Sequence, residues 1–309
     1  MKVIISDYLH PYLAEQLKAM NYEVMIQPDI SNEELYNVIA DYDGLVLSTK
    51  ILVTPRLLDK AVKLKFIARA GSGLDTIDTK YAASKNIYVI STPEANANAV
   101  AEHALGMLLA LMNQIIKADA QVRKGIWQRE ENRGFEIDGK TIGIIGFGNN
   151  GSAFAKKLSG FDAGILVFDK YKSGFGTEKI KETDLSEIQA QADIISFHVP
   201  LNMETEFYFD TAFINACKKP FWLINTSRGK IVHTASLIEG LKSGKIKGAA
   251  LDVFEYENFS QLPGSFKLLM DELAAFPNVV LTPHIAGWSH ESYFKISKIL
   301  AEKIAGLQL

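Results

Sequence analysis

Thr141-Ile-Gly-Ile-Ile-Gly146-Phe-Gly148-Asn-Asn-Gly151 is the stretch on which the reading of this chain turns. Ile142–Ile145 is a short apolar run with the character of a buried strand, and the residues from Ser152 to Leu158 read as a helix. Between them Gly146, Gly148 and Gly151 fit G-x-G-x-x-G. Each glycine is there for a physical reason. Gly146 permits the tight turn, Gly148 lets a backbone approach a pyrophosphate, and Gly151 lets helix and strand pack closely with the helix N-terminus facing the anion. The motif alone is weak, but its context is complete. Asp169 ends the next predicted strand 23 residues after Gly146 (169 − 146), where a carboxylate would accept from ribose hydroxyls. A carboxylate there repels a 2′-phosphate and favours NAD over NADP, although Lys170 and Lys172 lie close enough to offset a phosphate in part. The plain alternative is a structural glycine turn with Asp169 as a helix cap.

Outward from that stretch the pattern repeats. Strands are expected at 141–145, 165–169, 194–198, 221–225, 248–252 and 279–282, which matches a doubly wound dinucleotide-binding sheet in number and spacing. Before it, strands at 3–6, 23–27, 45–48, 66–69 and 88–90 alternate with helical segments, one opened by Ser31 with Glu34 as its capping-box partner. Such alternation predicts an α/β chain with parallel sheets. A single long helix is expected from about Asn98 to Lys124, apolar nearly all round over Ala104–Met112, as suits a domain junction or a subunit interface. The expected division is a discontinuous smaller domain, 1–95 plus 285–309, and a nucleotide domain, 96–284, with the active site in the cleft between them.

The bulk properties narrow the class. The chain has 309 residues, more than one core comfortably holds, and a net charge of −3, which gives no electrostatic reason to expect nucleic acid or an anionic membrane as partner. One cysteine, Cys217, excludes an intrachain disulfide and suits a reducing compartment. The apolar run at the N-terminus is too short for a signal core, and Glu102 and His103 interrupt the best membrane candidate, Ala97–Ile116, so a cytoplasmic protein is expected. No Cys/His cluster has zinc spacing, and no metal is expected.

Three segments fall at the ends of later strands: Asn225-Thr-Ser-Arg228-Gly229, Asp252-Val-Phe-Glu-Tyr-Glu257 and Thr282-Pro-His284-Ile-Ala-Gly287. Hydride exchange with a carbonyl needs a proton donor and acceptor working near neutral pH, which suits His284. Glu257 as neighbour would raise the histidine's pKa and fix its tautomer. Arg228 would grip a substrate carboxylate through two parallel hydrogen bonds and polarise the carbonyl. Against these stand blander readings: a strand-end histidine, a surface ion pair, and Glu255 in place of Glu257. His198 lacks an evident acid partner and reads as cofactor-adjacent lining, while His10, His103, His233 and His290 read as solvated or packed side chains. Asp75 and Asp78 read as turn and helix-cap residues.

These segments, with Arg69-Ala-Gly-Ser-Gly-Leu-Asp-Thr-Ile-Asp78 and Glu102-His-Ala, resemble the D-isomer-specific 2-hydroxyacid dehydrogenases over almost the whole chain, and look closest to the D-3-phosphoglycerate dehydrogenases without a regulatory domain. The resemblance implies two Rossmann-like or flavodoxin-like domains, NAD as cofactor, and a small D-2-hydroxy acid or 2-keto acid as substrate, with 3-phosphoglycerate among the candidates. It implies that Asn149 and Asn150 follow the pyrophosphate turn, and that Val199, Pro200, Thr226, Asp252 and Gly287 line the cofactor. Ser72 and Gly73 would offer backbone donors to the substrate carboxylate, and two chains would form a homodimer through the nucleotide domain and the long helix. The sequence also departs from the family pattern. Asn258 stands where proline is usual, 27 residues separate Glu257 from His284 (284 − 257), and an extra loop or helix is expected near Phe259–Leu273. Ser48 replaces an arginine often found in phosphoglycerate enzymes, leaving Arg69 and nearby Lys50 as the candidate phosphate contacts. Two alternatives stay open: a dinucleotide-sensing protein without turnover, and a formate-type dehydrogenase on the same fold.

Overall fold

The computed structural model describes residues 1–307. The chain divides into two compact units, residues 1–97 with 288–309 and residues 98–287, so the expected boundaries shift by two and three residues.

The first unit holds five parallel strands, β1 (Lys2–Ile5), β2 (Glu23–Ile26), β3 (Gly44–Leu47), β4 (Phe66–Arg69) and β5 (Tyr88–Ser91), in the order β2-β1-β3-β4-β5. The inner strands β3 and β4 are buried at every position, which is why Gly-Leu-Val-Leu and Phe-Ile-Ala-Arg read as unbroken runs and not as alternation. The pleat sends Ile4, Leu45 and Ile67 into one core with Leu35 and Leu57, and Val3, Val46 and Phe66 into another with Leu13 and Leu17. Helix His290–Ala305 joins that second core through Ile296, Leu300 and Ile304. Lys303 Nζ pins it by donating to Ser91 O at 2.7 Å and pairing with Glu94 at 2.6 Å. The Ser31 capping box forms, with both reciprocal bonds to Glu34 present.

The second unit holds seven parallel strands: β6 (Thr141–Ile145), β7 (Gly164–Phe168), β8 (Ile180–Glu182), β9 (Ile194–Phe197), β10 (Phe221–Asn225), β11 (Ile246–Leu251) and β12 (Val279–Leu281). Their order is β12-β11-β10-β9-β6-β7-β8. The direction of winding reverses between β9 and β6, and a ligand crevice opens at such a point beyond the carboxyl ends of the strands. β8 is a strand the sequence reading lacked. It is three residues at a sheet edge, Ile-Lys-Glu, with no fully buried position, so it leaves almost no apolar signal.

The expected long helix is two helices, Ala97–Met112 and Ile115–Val122, bent by 62°. Gln114 sits in the left-handed region at φ 52°. The carbonyl of Met112, which a continuous helix would give to residue 116, accepts from Phe135 N–H at 3.0 Å instead, and Gln114 Nε2 donates to Arg133 O at 3.1 Å. The returning chain thus captures the Met112 carbonyl that would have carried the helix onward. Ala101, Ala104, Leu108 and Leu111 of the first helix pack in the core beside β6 and β10. Among the described residues no single helix is long and apolar enough to cross a membrane. The segment after Glu257 forms a short 3-10 turn, Phe259–Gln261, and a helix, Gly264–Ala275.

Candidate active site

The glycine turn follows β6 at the switch point. Gly146 has φ +96°, and a Cβ there would lie 2.5 Å from His198 O; a Cβ on Gly151 would lie 2.0 Å from Gly146 O. Only bare backbone fits at both positions. The helix begins at Asn149 with Gly148 as its N-cap, three residues before the expected start, so Asn149, Asn150 and Gly151 form its first turn. Gly148 brings no side chain to cap that turn, and a helix N-terminus with no side-chain cap suits anionic oxygens.

Asp169 braces the turn. Its Oδ2 accepts from Phe147 N–H at 2.7 Å and its Oδ1 from the N–H groups of Tyr171 and Lys172 at 2.9 and 3.0 Å. Burial works to raise the pKa of this carboxyl, but the three backbone donors and Lys172 outweigh it and hold the group below the usual aspartate range. A carboxylate has about four lone-pair sites, so one remains for a further donor. Lys172 Nζ is committed to Phe147 O at 3.0 Å and Lys170 Nζ to Glu204 at 2.5 Å.

Beneath the turn, buried His198 exchanges a 2.8 Å hydrogen bond with Ser196 through Nε2. Burial pushes its pKa down to about 4, which leaves it neutral near pH 7 and unsuited to general acid work there. Val199 comes within 2.9 Å of the Cβ that Gly146 lacks, and Pro200 O accepts from Thr205 Oγ1 at 2.6 Å. Thr226 Oγ1 and Asn150 Oδ1 are buried with no hydrogen-bond partner among the described residues. An unpaired amide oxygen in the first turn of the helix that begins at Asn149 calls for a ligand donor such as a hydroxyl, and an unpaired threonine hydroxyl after β10 can meet either a donor or an acceptor.

The catalytic candidates follow three neighbouring strands. Arg228 comes after β10, in a loop folded on Asn225: Asn225 Oδ1 accepts from Ser227 N and Oγ, and Asn225 Nδ2 donates to Arg228 O at 3.0 Å. Arg228 Nη1 donates to Ser227 O at 2.7 Å. Gly229 is required, because a Cβ would lie 1.8 Å from Phe254 O. That contact presses the arginine loop onto the segment after β11. There the two acids part ways: Glu255 accepts from Thr234 N–H at 2.7 Å and caps a helix, while Glu257 Oε2 meets His284 Nδ1 at 2.7 Å.

His284 follows β12 and is one of the non-glycine residues at positive φ, 55°. Its N–H donates to Asp252 O at 2.7 Å, and the next two amides, Ile285 and Ala286, donate to Asp252 Oδ1 and Oδ2 at 2.9 and 2.8 Å. Asp252, expected only to line the cofactor, is fully buried and holds three successive amides of the histidine loop. Gly287 closes that loop, half-buried. His103, read from sequence as an ordinary packed or solvated side chain, is packed, and it bonds Thr282 Oγ1 through Nε2 at 3.0 Å. The signal available in sequence was only its place on an apolar helix face.

Arg69, Ser72 and Gly73 belong to the first unit. Arg69 ends β4, is buried, and donates from Nη1 to Ala70 O at 2.6 Å. Ser72 Oγ donates to Asn96 Oδ1 at 2.9 Å, and Gly73 is half-buried in the following turn. Lys50 Nζ is bound to Pro28 O at 2.5 Å. Among the described residues no three His, Cys, Asp or Glu side chains converge as metal ligands.

Residues 105–286 match the family model described as D-isomer specific 2-hydroxyacid dehydrogenase, NAD binding domain. The chain belongs to the D-isomer-specific 2-hydroxyacid dehydrogenases. Among relatives, it is 34% identical to a D-3-phosphoglycerate dehydrogenase of Archaeoglobus fulgidus over 99% of this chain and 57% of that one. It is 36% identical to a hydroxypyruvate reductase of Thermotoga maritima over 98% and 97% of the two chains. The chain therefore spans little more than half the length of the phosphoglycerate enzyme and nearly all of the reductase. Among solved structures, the D-lactate dehydrogenase of Aquifex aeolicus, complexed with NAD and lactic acid, superposes with a TM-score of 0.87 at 29% identity, covering 99% of this chain and 95% of the other. The glycine turn, Asp169, Asn150 and Thr226 all lie within the residues that match this family's NAD-binding domain.

Proposed function

We propose that this chain interconverts a short D-2-hydroxy acid and its 2-keto acid with NAD(H). The observation that carries the reading is the 2.7 Å contact between His284 Nδ1 and Glu257 Oε2, on strand ends neighbouring that of Arg228. A carboxylate only accepts, so Nδ1 holds its proton and Nε2 is the atom left to exchange one with substrate oxygen. The glycine turn would hold the pyrophosphate of NAD(H), whose nicotinamide would supply the hydride acceptor or donor. In reduction, His284 Nε2 delivers a proton to the carbonyl oxygen as the carbonyl carbon gains hydride; in oxidation it takes the hydroxyl proton. Arg228 holds the substrate carboxylate. Asn149, Asn150, Gly151 and Thr226 would hold the cofactor's polar atoms, and the remaining lone pair of Asp169 would take a ribose hydroxyl. With Lys170 and Lys172 both committed elsewhere, Asp169 selects NAD over NADP.

The substrate class is best represented by glyoxylate and hydroxypyruvate, the smaller unphosphorylated acids. Ser48 offers no cation, and Lys50 is tied to Pro28 O. The test is a panel of glyoxylate, hydroxypyruvate, pyruvate and phosphohydroxypyruvate, each with NADH and NADPH, read by loss of reduced-nicotinamide absorbance. Turnover of an unphosphorylated acid with NADH is expected. Tight NADH binding without turnover of any of them would make the chain a dinucleotide sensor instead.

The same reading includes a homodimer. Ile115, Ile116, Val122, Trp127 and Phe135 are 51, 57, 56, 76 and 51% exposed around the bent helices. A groove lined by Leu111, Ile116, Ile126, Phe276 and Val280 runs beside them. So much apolar surface in one region marks an association site. Light scattering at twice the 34.2 kDa chain mass is the expected result, and a monomer at micromolar concentration would refute the assignment.

A further inference from the structure

The histidine loop depends on a carboxylate that itself needs support. Asp252 is fully buried, and its two oxygens accept from Ile285 N–H, Ala286 N–H and Thr282 Oγ1, the last at 2.6 Å. A buried carboxylate holds one geometry only when its lone pairs are met and a positive or donating group stands by. That group is His103, on helix Ala97–Met112, 179 residues away in sequence from Thr282.

The direction of its hydrogen bond follows from proton count. Thr282 has one hydroxyl proton. Asp252 Oδ1 takes it at 2.6 Å, against 3.6 Å for Met107 Sδ, so at His103 Nε2, 3.0 Å away, Thr282 is the acceptor. His103 therefore carries its proton on Nε2, which also lies 3.7 Å from Asp252 Oδ1. The order of donation is His103 to Thr282 to Asp252, and the loop amides donate to Asp252 from the other side.

We infer that His103 is a positioning residue for the hydride-transfer reaction. Through Thr282 it fixes the Asp252 carboxylate, and through Asp252 it holds His284 in the left-handed conformation that aims the imidazole. A non-glycine residue at φ 55° persists only where its surroundings over-determine it, and this chain of donors supplies that constraint. His103 bonds to Thr282 and not to Glu257 or the ring of His284, so its action passes through the backbone of residues 284–286.

The inference rests on the proposed reaction for its kinetic consequence alone; its structural consequence is read without turnover. Amide hydrogen exchange is measured at Ile285 and Ala286 in wild type, His103→Leu, His103→Gln and Thr282→Val, with Leu223 and Ile224 of β10 as internal controls. His103→Leu should speed exchange at Ile285 and Ala286 by about tenfold and leave the controls unchanged, since one hydrogen bond supporting a charged acceptor is removed. His103→Gln, which keeps a donor at the ε position, should stay within about twofold of wild type. Thr282→Val should match His103→Leu, and the double variant should be no worse than either, because both break one relay. In the enzyme assay His103→Leu should lower kcat by about tenfold and leave NADH affinity unchanged. Unchanged exchange at the two amides in His103→Leu would refute the inference whatever the kinetics. So would a His103→Gln protein as labile as His103→Leu, or loss of protection throughout β10. Absence of wild-type turnover on the acid panel would instead refute the proposed reaction, with the exchange result still deciding the role of His103.

Discussion

The glycine turn after β6 and the histidine loop after β12 both follow the carboxyl ends of parallel strands in one sheet and are held by opposite means. The turn is made by omission: Gly146 and Gly151 are bare because a Cβ would strike backbone at 2.5 and 2.0 Å. Its brace is local, with Asp169 reaching back 22 residues to Phe147 N–H. The histidine loop is made by addition. A strained histidine is held by three contacts to a buried aspartate and one to Glu257, and the aspartate leans on a helix more than a hundred residues earlier. Binding an anion asks for open backbone N–H groups, which absence of side chains provides. Moving a proton asks for one imidazole in one orientation, which only converging bonds provide.

Breaking the loop while sparing the turn should separate turnover from binding most sharply. His284→Ala should lower kcat by roughly 10²–10⁴-fold with NADH affinity intact, as measured by steady-state kinetics and fluorescence titration. Near-normal turnover in that variant would dissolve the distinction between the two regions.

The packing under the turn should show itself in acid. The folded-state pKa of His198 lies near 4, below its ordinary 6.5, so the unfolded chain takes up the proton first as pH falls. The sign is then fixed: stability is full above about 6.5 and is lost between there and about 4, by roughly 3 kcal/mol if the pKa difference is fully expressed. Urea unfolding at pH 7 and at about pH 4 should show this loss in wild type and not in His198→Gln. Equal acid sensitivity in the two proteins would mean that burial of the imidazole does not couple folding to its protonation.

Arg228→Lys tests the substrate side of the loop end. A lysine carries the charge but not the two-pronged geometry, so KM should rise and kcat fall, for a combined loss in kcat/KM of about ten- to hundredfold. A change confined to kcat would place Arg228 away from the ground-state carboxylate. The smallest effect is expected at Asp169. Asp169→Ala should weaken NAD binding by about tenfold and narrow its margin over NADP, because one ribose acceptor and one brace of the turn go together. A wild-type protein that binds both cofactors equally would remove Asp169 as the selector.

How far the residues themselves carry the reading differs between the two regions in the same way. The turn is legible because its sequence requirement is short-range: strand, three glycines and an acid at a set distance. Arg228, Glu257 and His284 are picked out as candidates in the same way, each from its own strand-end segment. The structure adds the contact between the last two and assigns neighbouring Glu255 to capping at Thr234 N–H. The break at Gln114 is not legible, because the apolar pattern continues across it and the competing donor is Phe135, 21 residues on (135 − 114). The edge strand β8 escapes notice because an edge needs little apolar surface.

Two parallel α/β units and the glycine turn follow from the residues alone, as does the choice of His284 and Glu257 for the proposed proton transfer, since strand burial, glycine sterics and functional-group chemistry are properties of short segments. That Asp252 holds the loop of His284, and that His103 stands behind Asp252, became visible only in three dimensions. Those roles depend on which donors reach a buried carboxylate, and that is set by the packing of a helix against strands distant in the chain. A histidine on an apolar helix face looks the same in sequence whether it fills space or carries a hydrogen bond; the 3.0 Å contact with Thr282 Oγ1 exists only once β12 and helix Ala97–Met112 are side by side.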